Sequence, residues 1–135
     1  MNNDDFVSYE IAQALKKAGF DWACSHYYTK ENASDGDVWL TTAAFSPENW
    51  NNDRSNEPDF LKPLCSAPTL WEAQKWLREV HRISVEPICN MTRQWNVNVC
   101  EIDKFGEAAW SKIGLGTYES ALSAGIEAAL KLVGY

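Results

Sequence analysis

The sequence predicts an α+β domain in which one antiparallel sheet carries helices on a single face. Three segments have apolar residues at the helical period, and each follows a Ser or Thr that can cap a helix. Between them lie four segments that alternate with a period of two, arranged as two consecutive pairs typical of hairpins. The predicted order is α-β-β-α-β-β-α, with four strands in the sheet and a fifth as an alternative.

The helices are predicted from their caps and apolar stripes. Thr69 and Glu72 have the spacing of a capping box, in which each side chain binds the backbone N–H of the other residue. Gly125 lies on the apolar face of the third helix, where the missing side chain would permit a close approach to the sheet. The predicted helices are residues 9–18, 70–82 and 118–133, which follow Ser8, Thr69 and Thr117.

The strands are predicted from alternation. In the second pair, Val97 and Val99 face one side while Asn96 and Asn98 face the other, which predicts a sheet with one solvated face. Pro87 indicates a bulge or a sheet edge. The four predicted strands are 20–29, 38–45, 83–89 and 94–103, and residues 108–113 are the alternative fifth strand.

The length of 135 residues predicts a single domain, 1–135, with a long irregular loop at residues 46–68. The net charge is −7, and residues 31–59 alone carry −6 of it. Structureless loops longer than about 12–15 residues are uncommon in compact domains and are often functional. Because this loop carries apolar residues, we expect it to lie across the domain, held by residues 60–64.

Charge and cysteine content exclude several classes of protein. A net charge of −7 argues against direct nucleic-acid binding, which depends on Lys and Arg. No apolar run approaches the roughly 20 residues that span a bilayer, and the acidic N-terminus differs from a signal peptide, so no membrane association is expected. Four cysteines without a CxxC pair predict reduced thiols in a cytoplasmic protein, with no metal and no cofactor.

Cys24 and His26 are the sequence's main candidates for chemistry. They lie two residues apart in a predicted strand, so their side chains would share one face. That pattern could supply half of a metal site or a thiol activated by imidazole. The spacing of about 6.5–7 Å between such neighbours is too long for a direct hydrogen bond, and a structural strand face is the favoured interpretation. No local motif of an enzyme accompanies the pair.

Seven Trp residues are the most unusual feature of the composition. Four are predicted to be core because they lie on apolar stripes or strand faces: Trp22, Trp39, Trp76 and Trp95. Three are harder to bury and, together with an aromatic residue of the long loop, are predicted to form a binding surface: Trp50, Phe60, Trp71 and Trp110. Partial burial under the loop explains these residues about as well, and the surface could also be a homodimer contact.

Several segments share a pattern with a known group of proteins. They are residues 7–12 (VSYEIA), Gly19-Phe20, Cys24 with Tyr27-Tyr28, Ala67-Pro68-Thr69 leading to residues 75–81 (KWLREVH), and Thr117-Tyr118-Glu119 with Ala121-Leu122. In these segments the chain resembles a family of small uncharacterised proteins common in gut anaerobes and in their phages and mobile elements. The family has no established activity, so the resemblance implies a genomic context and no catalytic residues.

Three hypotheses for function follow. The leading one is a small, phage-type or mobile-element accessory protein that is not an enzyme and acts by binding a protein partner. One alternative is a thiol- or metal-dependent enzyme that uses Cys24 and His26. The other is an acidic mimic of nucleic acid that binds a basic protein through residues 31–59.

Overall fold

A computed structural model describes residues 3–30, 37–52, 62–104 and 108–134 of the chain. These residues have an α+β fold, as predicted, with three α-helices and six strands. The predicted single sheet is not confirmed, because the described strands form two separate three-stranded antiparallel sheets. The chain divides into two compact units, Met1–Pro68 and Thr69–Tyr135, and each contains one of the sheets.

The first unit contains one helix and three strands. A 3-10 turn at Asn3–Asp5 precedes helix α1, Tyr9–Lys17, and strands β1, β2 and β3 are His26–Lys30, Val38–Thr42 and Cys65–Ser66. Ser8 caps α1 as predicted, since its hydroxyl accepts a hydrogen bond from the Ile11 N–H at 3.2 Å. The sheet order is β2-β1-β3, so the central strand β1 pairs on both edges.

The first sheet differs from the prediction at its ends. Strand β1 begins at His26 rather than near residue 20, because Cys24 instead forms an isolated bridge with Glu48 in the loop. The predicted irregular loop, 46–68, contributes β3, whose two residues pair with Tyr27 and Tyr28 of β1. A strand of two residues is too short to show any alternation, so the sequence pattern could not reveal it.

The second unit contains two helices and three strands. Helix α2 is Leu70–Val80, strands β4, β5 and β6 are Ile83–Cys89, Trp95–Glu101 and Trp110–Leu115, and helix α3 is Tyr118–Val133. The sheet order is β4-β5-β6, and β6 occupies most of the segment named as the alternative fifth strand. Helix α2 packs against β4 and α3, and α3 packs against all three strands.

Two features of the helices that the sequence predicts are confirmed by the structure. The capping box of α2 is confirmed, with the Glu72 N–H donating to the Thr69 hydroxyl at 3.1 Å and the Thr69 N–H donating to the Glu72 carboxylate at 2.9 Å. The prediction for Gly125 is also confirmed. A Cβ at that position would lie 2.7 Å from the Val97 side chain and closer still to Val85.

Candidate functional site

A groove of about 290 Å³ lies in the second unit between strand β6 and helix α3. We call it the β6/α3 groove. Its lining combines small and large apolar side chains with three charged ones. The residues are Ala109, Trp110, Lys112, Ala124, Glu127, Ala128, Lys131 and Leu132.

The strand side of the groove follows from the register of β6. Trp110 pairs with Val99 and Lys112 pairs with Val97. Directly opposed residues of an antiparallel pair share a face of the sheet, and both valines are fully buried. Trp110 and Lys112 therefore lie on the face that α3 covers, at the edge of the sheet.

The helix side of the groove follows from residue spacing on α3. Ala124, Ala128 and Leu132 are four residues apart, so they form one stripe along the helix. Two of the three are alanines, whose short side chains leave space above β6. The sequence analysis did not identify this stripe, which is distinct from the fully buried residues Leu122 and Ile126 of the same helix. The four-residue spacing was the available signal.

The charged lining gives the groove a local excess of one positive charge. Lys112 and Lys131 are exposed, and Glu127 is the acidic residue among the lining. Neither groove lysine forms an ion pair with another described residue, whereas Arg82 pairs with Asp103 and Lys104 pairs with Glu101. In a chain with a net charge of −7, this is a site where an acidic group would find cationic partners.

The structure places the predicted binding residues in different environments. Trp110 is half-buried in the groove. Trp71 is 40% exposed on α2, which packs beside β4 at the opposite edge of the sheet, so the structure does not bring these two residues together. Phe60 lies outside the described residues.

Trp50 has a structural position in the first unit. It is only 8% exposed, and its indole N–H donates to the Cys24 carbonyl at 2.7 Å. The Tyr27 ring packs against it with a centroid distance of 4.6 Å. A buried tryptophan with its N–H satisfied contributes to the core, which argues against the predicted role of Trp50 in binding.

Asn51, beside Trp50, anchors the same part of the loop and was missed in the sequence analysis. Its side-chain amide donates to the Phe20 carbonyl and accepts from the Ser66 N–H, both at 2.9 Å. The Trp50 N–H donates to the Ser66 hydroxyl at 2.9 Å. The described start of the loop is thus held by Trp50 and Asn51. The expected anchor at residues 60–64 is only partly described, with the Leu64 N–H donating to the Tyr28 carbonyl.

The remaining Trp predictions have mixed outcomes. Trp76 is 1% exposed, which confirms it as core. The prediction for Trp39 was wrong, because this residue is 51% exposed on the edge strand β2. Alternation separates the two faces of a strand but does not say how completely either face is covered.

Cys24 and His26 have ordinary structural surroundings. Cys24 is 1% exposed, and its thiol donates to the Trp22 carbonyl at 3.6 Å. The two His26 ring nitrogens lie 2.8 Å from the Ser25 hydroxyl and 3.2 Å from the Thr42 hydroxyl. Within the ranges that the structure describes, no cluster of three or more His, Cys, Asp or Glu residues could hold a metal ion.

Two further polar groups of the first unit are held in their neutral forms. Burial raises the pKa of the Cys65 thiol to about 12. Burial likewise raises the pKa of Tyr28 to about 12, and its hydroxyl donates to the Val7 carbonyl at 2.5 Å. A thiol with a raised pKa is a poor nucleophile at neutral pH, so Cys65 has the properties of a core residue.

The acidic stretch is described only in small part. Of its seven acidic residues, Asp37 and Glu48 belong to the described ranges, and both are exposed. The other five lie outside those ranges: Glu31, Asp35, Asp53, Glu57 and Asp59.

No family model matches the chain, and neither a curated protein nor a solved structure matches it. Among the helices of the described residues, none combines the length and hydrophobicity needed to cross a membrane. The groove's own chemistry is therefore the basis for assigning a function.

Proposed function

We propose that this protein binds another protein through the β6/α3 groove and acts without catalysis. The observation that carries the proposal is Trp110, half-buried in a groove between apolar side chains and two lysines that form no ion pair with another described residue. Tryptophan is enriched among the residues that dominate binding energy at protein interfaces. Its large ring loses little conformational entropy when a partner covers it.

The size and lining of the groove favour a protein segment over a small substrate. Its volume of about 290 Å³ is at the lower end for sites that enclose small molecules, which range from roughly 300 to 1,000 Å³. The ionisable side chains in its lining are Lys112, Glu127 and Lys131.

The charge of the groove defines the chemistry of the partner. A segment that places an aliphatic side chain against Trp110 and Leu132, and a carboxylate near Lys112 or Lys131, would satisfy both parts of the lining. Charge-assisted contacts of this kind contribute specificity and fast association as well as affinity.

We place this activity in the cytoplasm, as an accessory factor of a phage or mobile element. Support for a reducing compartment comes from the four cysteines, which are all free thiols. The resemblance to a family of small proteins of gut anaerobes stays a prediction, and it rests on the matching segments between residues 7 and 122. Mimicry of nucleic acid by residues 31–59 also stays a prediction. The alternative of a Cys24/His26 enzyme finds no support in the contacts of those residues.

The test is quantitative affinity capture from the cell that encodes the protein, with wild-type and Trp110→Ala chains as bait. An interface tryptophan worth about 2 kcal/mol changes affinity by about 30-fold. We expect Trp110→Ala to lose a protein that the wild type retains, and the purified partner to show the same loss in calorimetry. Trp39→Ala is the matched control, because Trp39 is an exposed tryptophan in the first unit.

A specific partner that is retained equally by Trp110→Ala and wild type would contradict the proposal. If Trp71→Ala loses the partner and Trp110→Ala retains it, the binding surface lies on α2 and not in the groove. If the wild type self-associates in sedimentation and Trp110→Ala abolishes this, the groove is a homodimer contact and the proposal of a different partner is wrong. Circular dichroism of each variant separates loss of binding from loss of fold.

A further inference from the structure

We infer that the partner enters the β6/α3 groove as an extended, acidic peptide segment that adds to β6 as a fourth strand of the sheet. This inference rests on the proposed function and specifies how the partner binds in the groove. It follows from an edge strand with a groove beside it, and from Lys112, which lines the groove and forms no ion pair with any described residue.

Strand β6 is the available edge of its sheet. In the described part of the chain it pairs with β5 on one side only. The residues from Ser111 to Gly114 are all exposed. The other edge strand, β4, contains Pro87, which lacks the N–H that a ladder requires. An edge without proline presents N–H and C=O groups that an extended chain can pair with.

The side chains of β6 alternate between the two faces of the sheet, as those of an added strand would. Trp110 and Lys112 face the groove, so Ser111 and Ile113 face the opposite side of the sheet. Every second side chain of an added strand would therefore enter the groove, and the others would lie beside Ile113. Ile113 is 77% exposed, and an added strand would cover it.

Pairing would be limited to the first part of β6. The register between β5 and β6 shifts between Trp95 and Val97, and Gly114 has a positive φ of 77°. The Gly114 N–H is directed to the Asn96 side-chain oxygen at 3.3 Å. A bulge of this kind disrupts regular pairing, so the added strand would pair along residues 110–113.

Lys112 determines which strand is accepted. A charge that points inward from an edge strand is a common device against indiscriminate pairing, because an apolar strand would leave it buried and unpaired. A segment that brings a carboxylate to Lys112 removes that penalty. A second copy of this chain is the wrong occupant, because its β6 strand, Trp110–Leu115, contains Lys112 and no carboxylate.

The experiment uses the full chain labelled with ¹⁵N and a capped eight-residue peptide of alternating Val and Thr, with one Glu among the Val positions. Two matched peptides carry Lys in place of Glu, or N-methyl groups on alternate residues. We expect the acidic peptide to shift the amide signals of residues 110–113. We expect both matched peptides to bind at least about tenfold more weakly, which is 1.4 kcal/mol. Lys112→Glu should reverse the preference between the Glu and Lys peptides.

Equal binding of each peptide and its N-methylated form would overturn strand addition, as would the absence of shifts in residues 110–113. Equal binding of the Glu and Lys peptides would overturn the role of Lys112. These failures differ from failure of the proposed function, which is measured by dependence of partner capture on Trp110 and requires no backbone pairing.

Discussion

Trp50 and Trp110 were predicted to share a binding surface, and the structure gives them different environments. Trp50 is 8% exposed and satisfies its indole N–H at the Cys24 carbonyl. Trp110 is half-buried on an edge strand and lines a groove with charged neighbours. The comparison shows that an aromatic residue in a loop can belong to a core, while one in a regular strand can remain available for binding.

The two units also differ in net charge. Residues 1–68 contain five Lys or Arg and eleven Asp or Glu, for a net charge of −6, whereas residues 69–135 contain seven and eight, for −1. The described start of the first unit's loop is held by polar contacts around Asn51. The second unit is held by close packing of α3 on the sheet at Gly125. Each type of contact can be tested separately.

The largest expected effect is from Trp50→Ala. Removing a buried tryptophan typically costs about 3–5 kcal/mol of the free energy of unfolding, and the Cys24 carbonyl also loses one of its donors while it keeps the Glu48 N–H at 3.2 Å. Urea denaturation followed by circular dichroism measures the loss. Trp110→Ala is the matched control and should cost at least about 2 kcal/mol less, because its side chain is only half-buried. Equal losses of unfolding free energy for the two variants would contradict the difference in burial between Trp50 and Trp110.

Gly125→Ala should destabilise the second unit by about 1–3 kcal/mol, even though alanine is the better helix former. The added methyl group would lie 2.7 Å from Val97 and closer to Val85, so α3 would have to move away from the sheet. Gly116→Ala is the control, because nothing lies within 4 Å of a Cβ there, and it should change stability by less than about 0.5 kcal/mol. Thermal unfolding of both variants is the measurement, and a neutral Gly125→Ala would show that the packing is looser than described.

Alkaline pH should destabilise the first unit through Cys65 and Tyr28. Burial raises the pKa of Cys65 from 9.0, and that of Tyr28 from 10.0, to about 12 in each case. A folded-state pKa above the unfolded value stabilises the fold below the unfolded pKa, and this is lost as pH rises through the folded pKa. The urea midpoint should therefore fall between about pH 9 and pH 12. Cys65→Ala should reduce that fall, while Cys89→Ala, at an exposed thiol, should leave it unchanged.

The smallest expected effect is a gain of stability from Arg93→Gly. Arg93 has a φ of 63° at the end of the β4–β5 hairpin, a conformation that costs non-glycine residues about 1 kcal/mol. Glycine should therefore raise the free energy of unfolding by about 0.5–1 kcal/mol in urea denaturation. Arg93→Ala keeps the unfavourable conformation and should bring no such gain. A stabilising alanine would instead implicate the arginine charge.

Sequence was sufficient where a feature follows from the residue pattern of one short segment. The caps at Ser8 and Thr69 were predicted because the donors and acceptors involved lie within a few residues. The close approach at Gly125 was predicted because an apolar helix face must meet a sheet. These features require no knowledge of distant pairing.

Sequence was insufficient where partners lie far apart in the chain. The indole N–H of Trp50 donates to a carbonyl 26 residues away, and the Ser66 N–H donates to the Asn51 side chain across 15 residues. The third strand of the first sheet, β3, comes from the predicted irregular loop and has only two residues. The groove requires Lys112 and a stripe of α3 that meet only in the folded unit.

The most direct test labels the protein with 5-fluorotryptophan and follows all seven fluorine signals by NMR as the captured partner is added. Each signal is assigned by replacing one Trp with Phe. We predict that the Trp110 signal shifts or broadens while those of Trp50 and Trp76 stay unchanged. A Trp110 signal that does not respond, while that of Trp39 or Trp71 does, would contradict the assignment of binding to the β6/α3 groove.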